Sequence, residues 1–98
     1  MENTYRLIWS DRSIHDLKNI ISYLEMNWAE KEIQKFAKQL NNQLSLIQTN
    51  PTLFPISPKS LELRRAVLSK QITVYYQIGP DHIRLITLFD NRQNPAKI

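Results

Sequence analysis

The chain has 98 residues, 42% of them hydrophobic and 9% aromatic, with one glycine, five prolines and no cysteine. That profile predicts one folded domain spanning 1–98 and excludes collagenous, linker-like and disulfide-stapled classes. The net charge of +4 lies wholly in the second half, where Lys59, Arg64, Arg65, Lys70, Arg84, Arg92 and Lys97 face only Glu62, Asp81 and Asp90.

Absence of cysteine removes thiol catalysis and cysteine-ligated metal centres, and fits a reducing, cytoplasmic setting. Arg6, Asp11 and Arg12 interrupt the N-terminus, so no signal-peptide core forms there. No stretch approaches the ~20 apolar residues a membrane span needs. A basic second half beside a neutral first half suggests an anionic partner, either nucleic acid or an acidic protein segment.

Thr4–Trp9 is β-branched and aromatic, with Tyr5, Leu7 and Trp9 alternating against Arg6, which predicts a strand. Ser10 then has the chemistry of a helix N-cap, and Asp11 complements the positive end of the helix. Ile14, Leu17, Ile20 or Ile21, Leu24 and Trp28 recur at spacings of three and four, tracing one apolar stripe. A weak break at Asn27–Glu30 separates it from a second stripe, Ile33, Phe36, Ala37, Leu40, Leu44 and Ile47. Two stripes so joined predict an antiparallel helical hairpin that packs one face against another layer.

Asn50-Pro51 ends the second helix, because a proline ring disfavours helical geometry in the residue before it. Pro51, Pro55 and Pro58 make 50–60 a connector, expected to tuck Leu53, Phe54 and Ile56 beneath it. Three strands are predicted next: Leu61–Leu68, Ile72–Ile78, and His82–Phe89 after a Gly79-Pro80-Asp81 turn. The last is apolar at both parities, which predicts an interior position in its sheet. The order predicts an α+β fold: an N-terminal strand, a helical hairpin and a three-strand antiparallel meander in one four-stranded sheet.

Catalytic motifs are sparse. His15 and His82 lie far apart, no metal-ligand spacing surrounds them, and a single glycine excludes P-loop and dinucleotide fingerprints. No metal and no cofactor is expected. What remains is a basic and aromatic set on the strands. If Leu63, Val67, Val74 and Tyr76 pack under the helices, Arg64 lies on the uncovered sheet face with Thr73, Tyr75, Gln77 and Arg84. Such a face can hold phosphates and stack bases, or receive a segment of an acidic protein. Arg92 and Lys97 add charge in Asp90-Asn91-Arg92-Gln93-Asn94-Pro95, a segment too polar for core packing.

This order of elements resembles the RelE/ParE superfamily of bacterial toxins, the toxic halves of type II toxin–antitoxin modules. The resemblance rests on the strand ending in Trp9-Ser10, the helical hairpin, Pro51, Leu63-Arg64-Arg65, the ITVYYQI strand with Tyr75-Tyr76, and the closing Phe89–Pro95 segment. It implies a toxin neutralised by a cognate antitoxin that is acidic and partly disordered. Within the superfamily, the ribonuclease branch carries an arginine at or near the position of Thr73, and a terminal tyrosine-bearing helix that finds no counterpart here. The resemblance therefore favours the ParE-like branch, whose members poison DNA gyrase. The alternatives are a RelE-like ribosome-dependent mRNA endonuclease and an inactive binding domain of the same fold. Arg64, Tyr75, Arg84, Arg92 and Lys97 are the candidate functional residues, with Arg92 placed first.

Overall fold

The structure is a computed structural model that describes residues 4–91. Strand β1 (Arg6–Trp9) leads into helix α1 (Asp11–Asn27), and Trp28 and Ala29 connect it to helix α2 (Glu30–Thr49). A short 3-10 turn (Pro51–Leu53) precedes strands β2 (Ile56–Ser57), β3 (Ser60–Val67), β4 (Ile72–Ile78) and β5 (His82–Asp90).

Ser10 caps α1 as its chemistry predicts: the Ser13 amide donates to its Oγ at 3.0 Å, and the Ser13 hydroxyl returns a bond to the Ser10 carbonyl at 2.8 Å. That reciprocal pair buries Ser13 completely and leaves the expected stripe member Ile14 40% exposed. The core face of α1 is instead Ile20 and Leu24, with Leu17 and Ile21 packed at its margin. On α2, Phe36, Leu40, Leu44 and Ile47 are buried at spacings of four, four and three, while Ile33 of the expected stripe is partly buried and Ala37 exposed. Trp28 lies at the tip of the hairpin, half exposed rather than in the core.

Among the described residues the sheet has five strands in the order β1-β5-β4-β3-β2, not the expected four. The additional edge strand is β2, two residues long, paired through Ile56↔Arg64 and Ser57↔Ser60. Pro55 and Pro58 bracket it, and prolines that cannot donate to a ladder disguise so short an edge strand in a sequence. β1 joins β5 in parallel, from Arg6↔His82 to Trp9↔Leu85. β3, β4 and β5 form the expected antiparallel meander.

β5 is an interior strand, as predicted, but its double parity has a different cause. Its register with β4 shifts between Tyr75 and Tyr76, so that Tyr75 opposes Thr87 while Tyr76 opposes Leu85. This bulge at Ile86 reverses the parity of the strand. Ile83 and Leu85 face the core before it and Leu88 after it, all at most 2% exposed. Together with Ala66, Ile72, Val74 and Tyr76 they meet the buried faces of both helices in one cluster.

Beyond Trp9 the edge of β5 has no strand beside it among the described residues, and α1 takes over. The Ser10 amide donates to the Leu85 carbonyl at 3.1 Å, and the Ser10 hydroxyl to Ile86 at 2.9 Å. Asp16 Oδ2 then accepts from both the Leu88 amide, at 3.1 Å, and the Thr87 hydroxyl. A strand edge left open would carry unsatisfied backbone groups, and these contacts close it.

Candidate functional site

The register decides which basic residues share a face, because directly opposed residues on antiparallel strands point the same way. Arg64 opposes Tyr76 and Ala66 opposes Val74. Ala66, Val74 and Tyr76 are all fully buried beneath the helices, while Val67 is 54% exposed. Arg64 therefore points to the helix side of the sheet, contrary to the expectation that placed it on the uncovered face. Ala66 rather than Val67 is the core residue of β3, and the parity of the whole strand follows.

On the face turned away from the helices Arg65 takes the position expected for Arg64. A row runs across three strands from Arg65 to Tyr75 to Thr87. A second row joins Gln77 to Arg84 and on to Ile8 of β1. The structure thus brings Tyr75, Arg84, Thr73 and Gln77 onto one face as predicted, and puts Arg64 on the other. Arg84 is exposed, whereas Tyr75 is only 9% exposed and presents little ring surface. Arg65 Nε is shut off from solvent with no hydrogen-bond partner among the described residues. A buried donor left so costs about 1–3 kcal/mol. The sequence carried one signal for Arg65, its adjacency to Arg64, but that signal could not choose between them. Arg92 and Lys97 lie outside the described residues.

Arg64 sits at a different place. Its Nη1 donates to the Phe54 carbonyl at 2.7 Å, which ties β3 to the connector after α2. Beside it, the buried Tyr76 hydroxyl donates to the Pro51 carbonyl at 2.6 Å. Burial pushes the Tyr76 hydroxyl up to about 12, against a smaller opposing pull from the Arg64 charge. The connector is less covered than expected: Pro51 is buried and Phe54 partly so, but Leu53 and Ile56 are about half exposed.

The histidines stand apart from both arginine positions. His15 is exposed on α1. His82 contacts Asp81 at 3.1 Å at the β4–β5 turn, where Arg6 also approaches Asp81 at 3.9 Å. The His82 hydrogen bond, and secondarily the Arg6 charge, hold the Asp81 carboxyl below the usual carboxylate range. Asp16, the carboxylate that reaches the Arg65–Tyr75–Thr87 row, is already engaged by Thr87 and the Leu88 amide. Among the described residues no group of three or more His, Asp or Glu is placed to hold a metal ion. No helix among them is long and apolar enough to cross a membrane. The face offers positive charge and hydrogen-bond donors for an anionic surface, and among the described residues its free groups do not assemble an acid–base pair.

A helical hairpin over one face of a meander sheet is a fold shared with solved toxins of type II toxin–antitoxin systems. The family model for the ParE toxin of type II toxin–antitoxin systems matches residues 7–95. The chain belongs to this ParE toxin family. Solved structures agree on the fold. The chromosomal ParDE system from P. aeruginosa superposes with a TM-score of 0.74 at 13% identity, covering 91% of this chain and 98% of that one. The YoeB dimer from Staphylococcus aureus gives 0.63 at 16% identity, covering 88% and 95%. The toxin–antitoxin complex DinJ-YafQ of E. coli gives 0.63 at 11% identity, covering 93% and 97%. No curated protein matches the chain by sequence.

Proposed function

We propose that this toxin inhibits growth by binding DNA gyrase, and that a cognate antitoxin neutralises it through an acidic segment. The observation that carries the reading is the family match over residues 7–95, taken with the residues on the uncovered sheet face. There Thr73 stands where the ribonuclease branch is expected to carry arginine, and Thr87 is committed to Asp16. A threonine there supplies no charge to phosphoryl-transfer chemistry, and loss of one such group typically costs ~10²–10³ in rate. Binding needs less. Arg84, Arg65 and, from the sequence, Arg92 and Lys97 supply guanidinium and ammonium groups for an anionic or carboxylate-bearing surface.

The test is induction in a bacterial host with plasmid supercoiling and mRNA integrity read separately. Growth arrest with altered supercoiling and intact mRNA is expected. Codon-position-specific cleavage of translating mRNA would transfer the assignment to the RelE-like branch. Harmless expression, with no partner encoded beside the gene, would leave only the inactive binding domain.

A further inference from the structure

β3 and β4 pair only from Arg64↔Tyr76 to Val67↔Thr73, yet β3 begins at Ser60 and β4 continues to Ile78. Past Arg64 the two strands part, and a cleft of about 420 Å³ opens between Leu61-Glu62 and Gln77-Ile78. β5 pairs with the far edge of Gln77 and Ile78, so their near edge faces the cleft. Leu61 is 87% exposed, Ile56 46% and Ile78 37%, three aliphatic side chains around one opening. At its inner end sits Arg64, half-buried, with one bond to the Phe54 carbonyl and no ion-pair partner among the described residues. Glu62 lines the same cleft without closing that gap.

A half-buried guanidinium with unused donors asks for a carboxylate. A partly open strand edge asks for an extended backbone, and the aliphatic rim asks for apolar neighbours on either side of that carboxylate. We propose that the cleft is a docking site for an extended segment of the antitoxin, with an Asp or Glu on Arg64 and aliphatic side chains against Ile56, Leu61 and Ile78. This rests on the toxin reading above, and adds the anchor that the reading does not specify. The occupant is a protein segment rather than nucleic acid, because the rim is aliphatic and presents no aromatic ring on which a base could stack.

Isothermal titration of the full-length toxin with the antitoxin encoded beside it tests the assignment. Arg64→Gln should weaken binding about tenfold or more, as removal of one partner from a desolvated charge pair does. Leu61→Asp provides the control against misfolding, since Leu61 is exposed and its replacement leaves the core untouched. It should weaken binding comparably at an unchanged melting temperature, and stay toxic in cells that co-express the antitoxin. Parent-like affinity in both variants would overturn the docking site while leaving the toxin reading intact. Loss of toxicity in Leu61→Asp with unchanged antitoxin affinity would also overturn it, by giving the cleft to the target. A chain that is harmless and binds no neighbouring gene product would overturn both.

Discussion

Replacing Asp16 with alanine should destabilise the fold out of proportion to the size of the change. Asp16 Oδ2 is the acceptor for the Leu88 amide and the Thr87 hydroxyl, and its side chain is only 15% exposed. Hydrogen bonds to a charged group contribute about 1.5–3 kcal/mol each, and a buried amide left without a partner costs about 1–3 kcal/mol. Leu88 is 2% exposed, so water has poor access to its amide once the carboxylate is gone. The Arg12 pair at 3.5 Å adds little, because the arginine is 66% exposed and such surface pairs contribute about 0–1 kcal/mol. We expect Asp16→Ala to lose about 2–3 kcal/mol in urea titration. In a domain of this length that lowers the melting temperature by roughly 10–20 °C. Arg12→Ala should cost under about 1 kcal/mol, and Thr87→Val an intermediate amount, since it keeps the Leu88 bond. An Asp16→Ala variant within about 0.5 kcal/mol of the parent, or no worse than Arg12→Ala, would refute the idea that this carboxylate closes the β5 edge.

Tyr76→Phe removes the hydroxyl bonded to the Pro51 carbonyl and should cost about 1 kcal/mol at neutral pH. Because the folded state holds that hydroxyl up to about 12 while the unfolded chain ionises near 10, stability should be fully present below pH 10 and fall between pH 10 and 12. Tyr76→Phe should flatten that limb of the pH–stability curve, and an unchanged slope would argue against it. Arg92→Ala and Arg92→Lys should both relieve growth arrest at unchanged melting temperature, because a guanidinium's bidentate contact is not reproduced by an ammonium. A fully toxic Arg92→Ala removes that residue from the site.

Most of the layer architecture is legible in the sequence because it is written in large apolar residues at regular spacing. Phe36, Leu40, Leu44 and Ile47 mark one helix face, and Ile72, Val74 and Tyr76 mark one strand face, so burial follows directly. The misreadings fall where small or polar residues do structural work. Ser13 is buried in a capping pair that places Ile14 outside, and no hydrophobic stripe announces it. Ala66 is a core position with too little apolar area to be distinguished from its neighbours Leu63 and Val67. The two residues of β2 carry no alternation at all. Asp16 satisfies the β5 edge across 72 positions of sequence, a distance over which no local pattern operates.

The choice between Arg64 and Arg65 shows why the candidate site is harder to read than the fold. Adjacent residues on a strand point to opposite faces, so the sequence establishes that one arginine lies on each side and leaves open which. The decision is made in the β3–β4 hairpin. The amides of Leu68 and Ser69 both donate to the Ile72 carbonyl, at 2.9 and 3.2 Å, while Ser69 Oγ accepts from the Gln71 and Ile72 amides at 3.2 Å. That turn sets Val67 opposite Thr73 and, three pairs on, Arg64 opposite Tyr76. β4 must bury Ile72, Val74 and Tyr76, its larger apolar face, and the register carries Ala66 and Arg64 inward with them. A turn one residue longer or shorter would exchange the faces of the two arginines. One residue shorter, it would set Arg65 opposite Tyr76 on the helix side and Arg64 opposite Gln77 on the other face. The distribution of positive charge between the two sides of this toxin is therefore governed by the turn Leu68–Gln71, which itself carries only Lys70 as a charged residue.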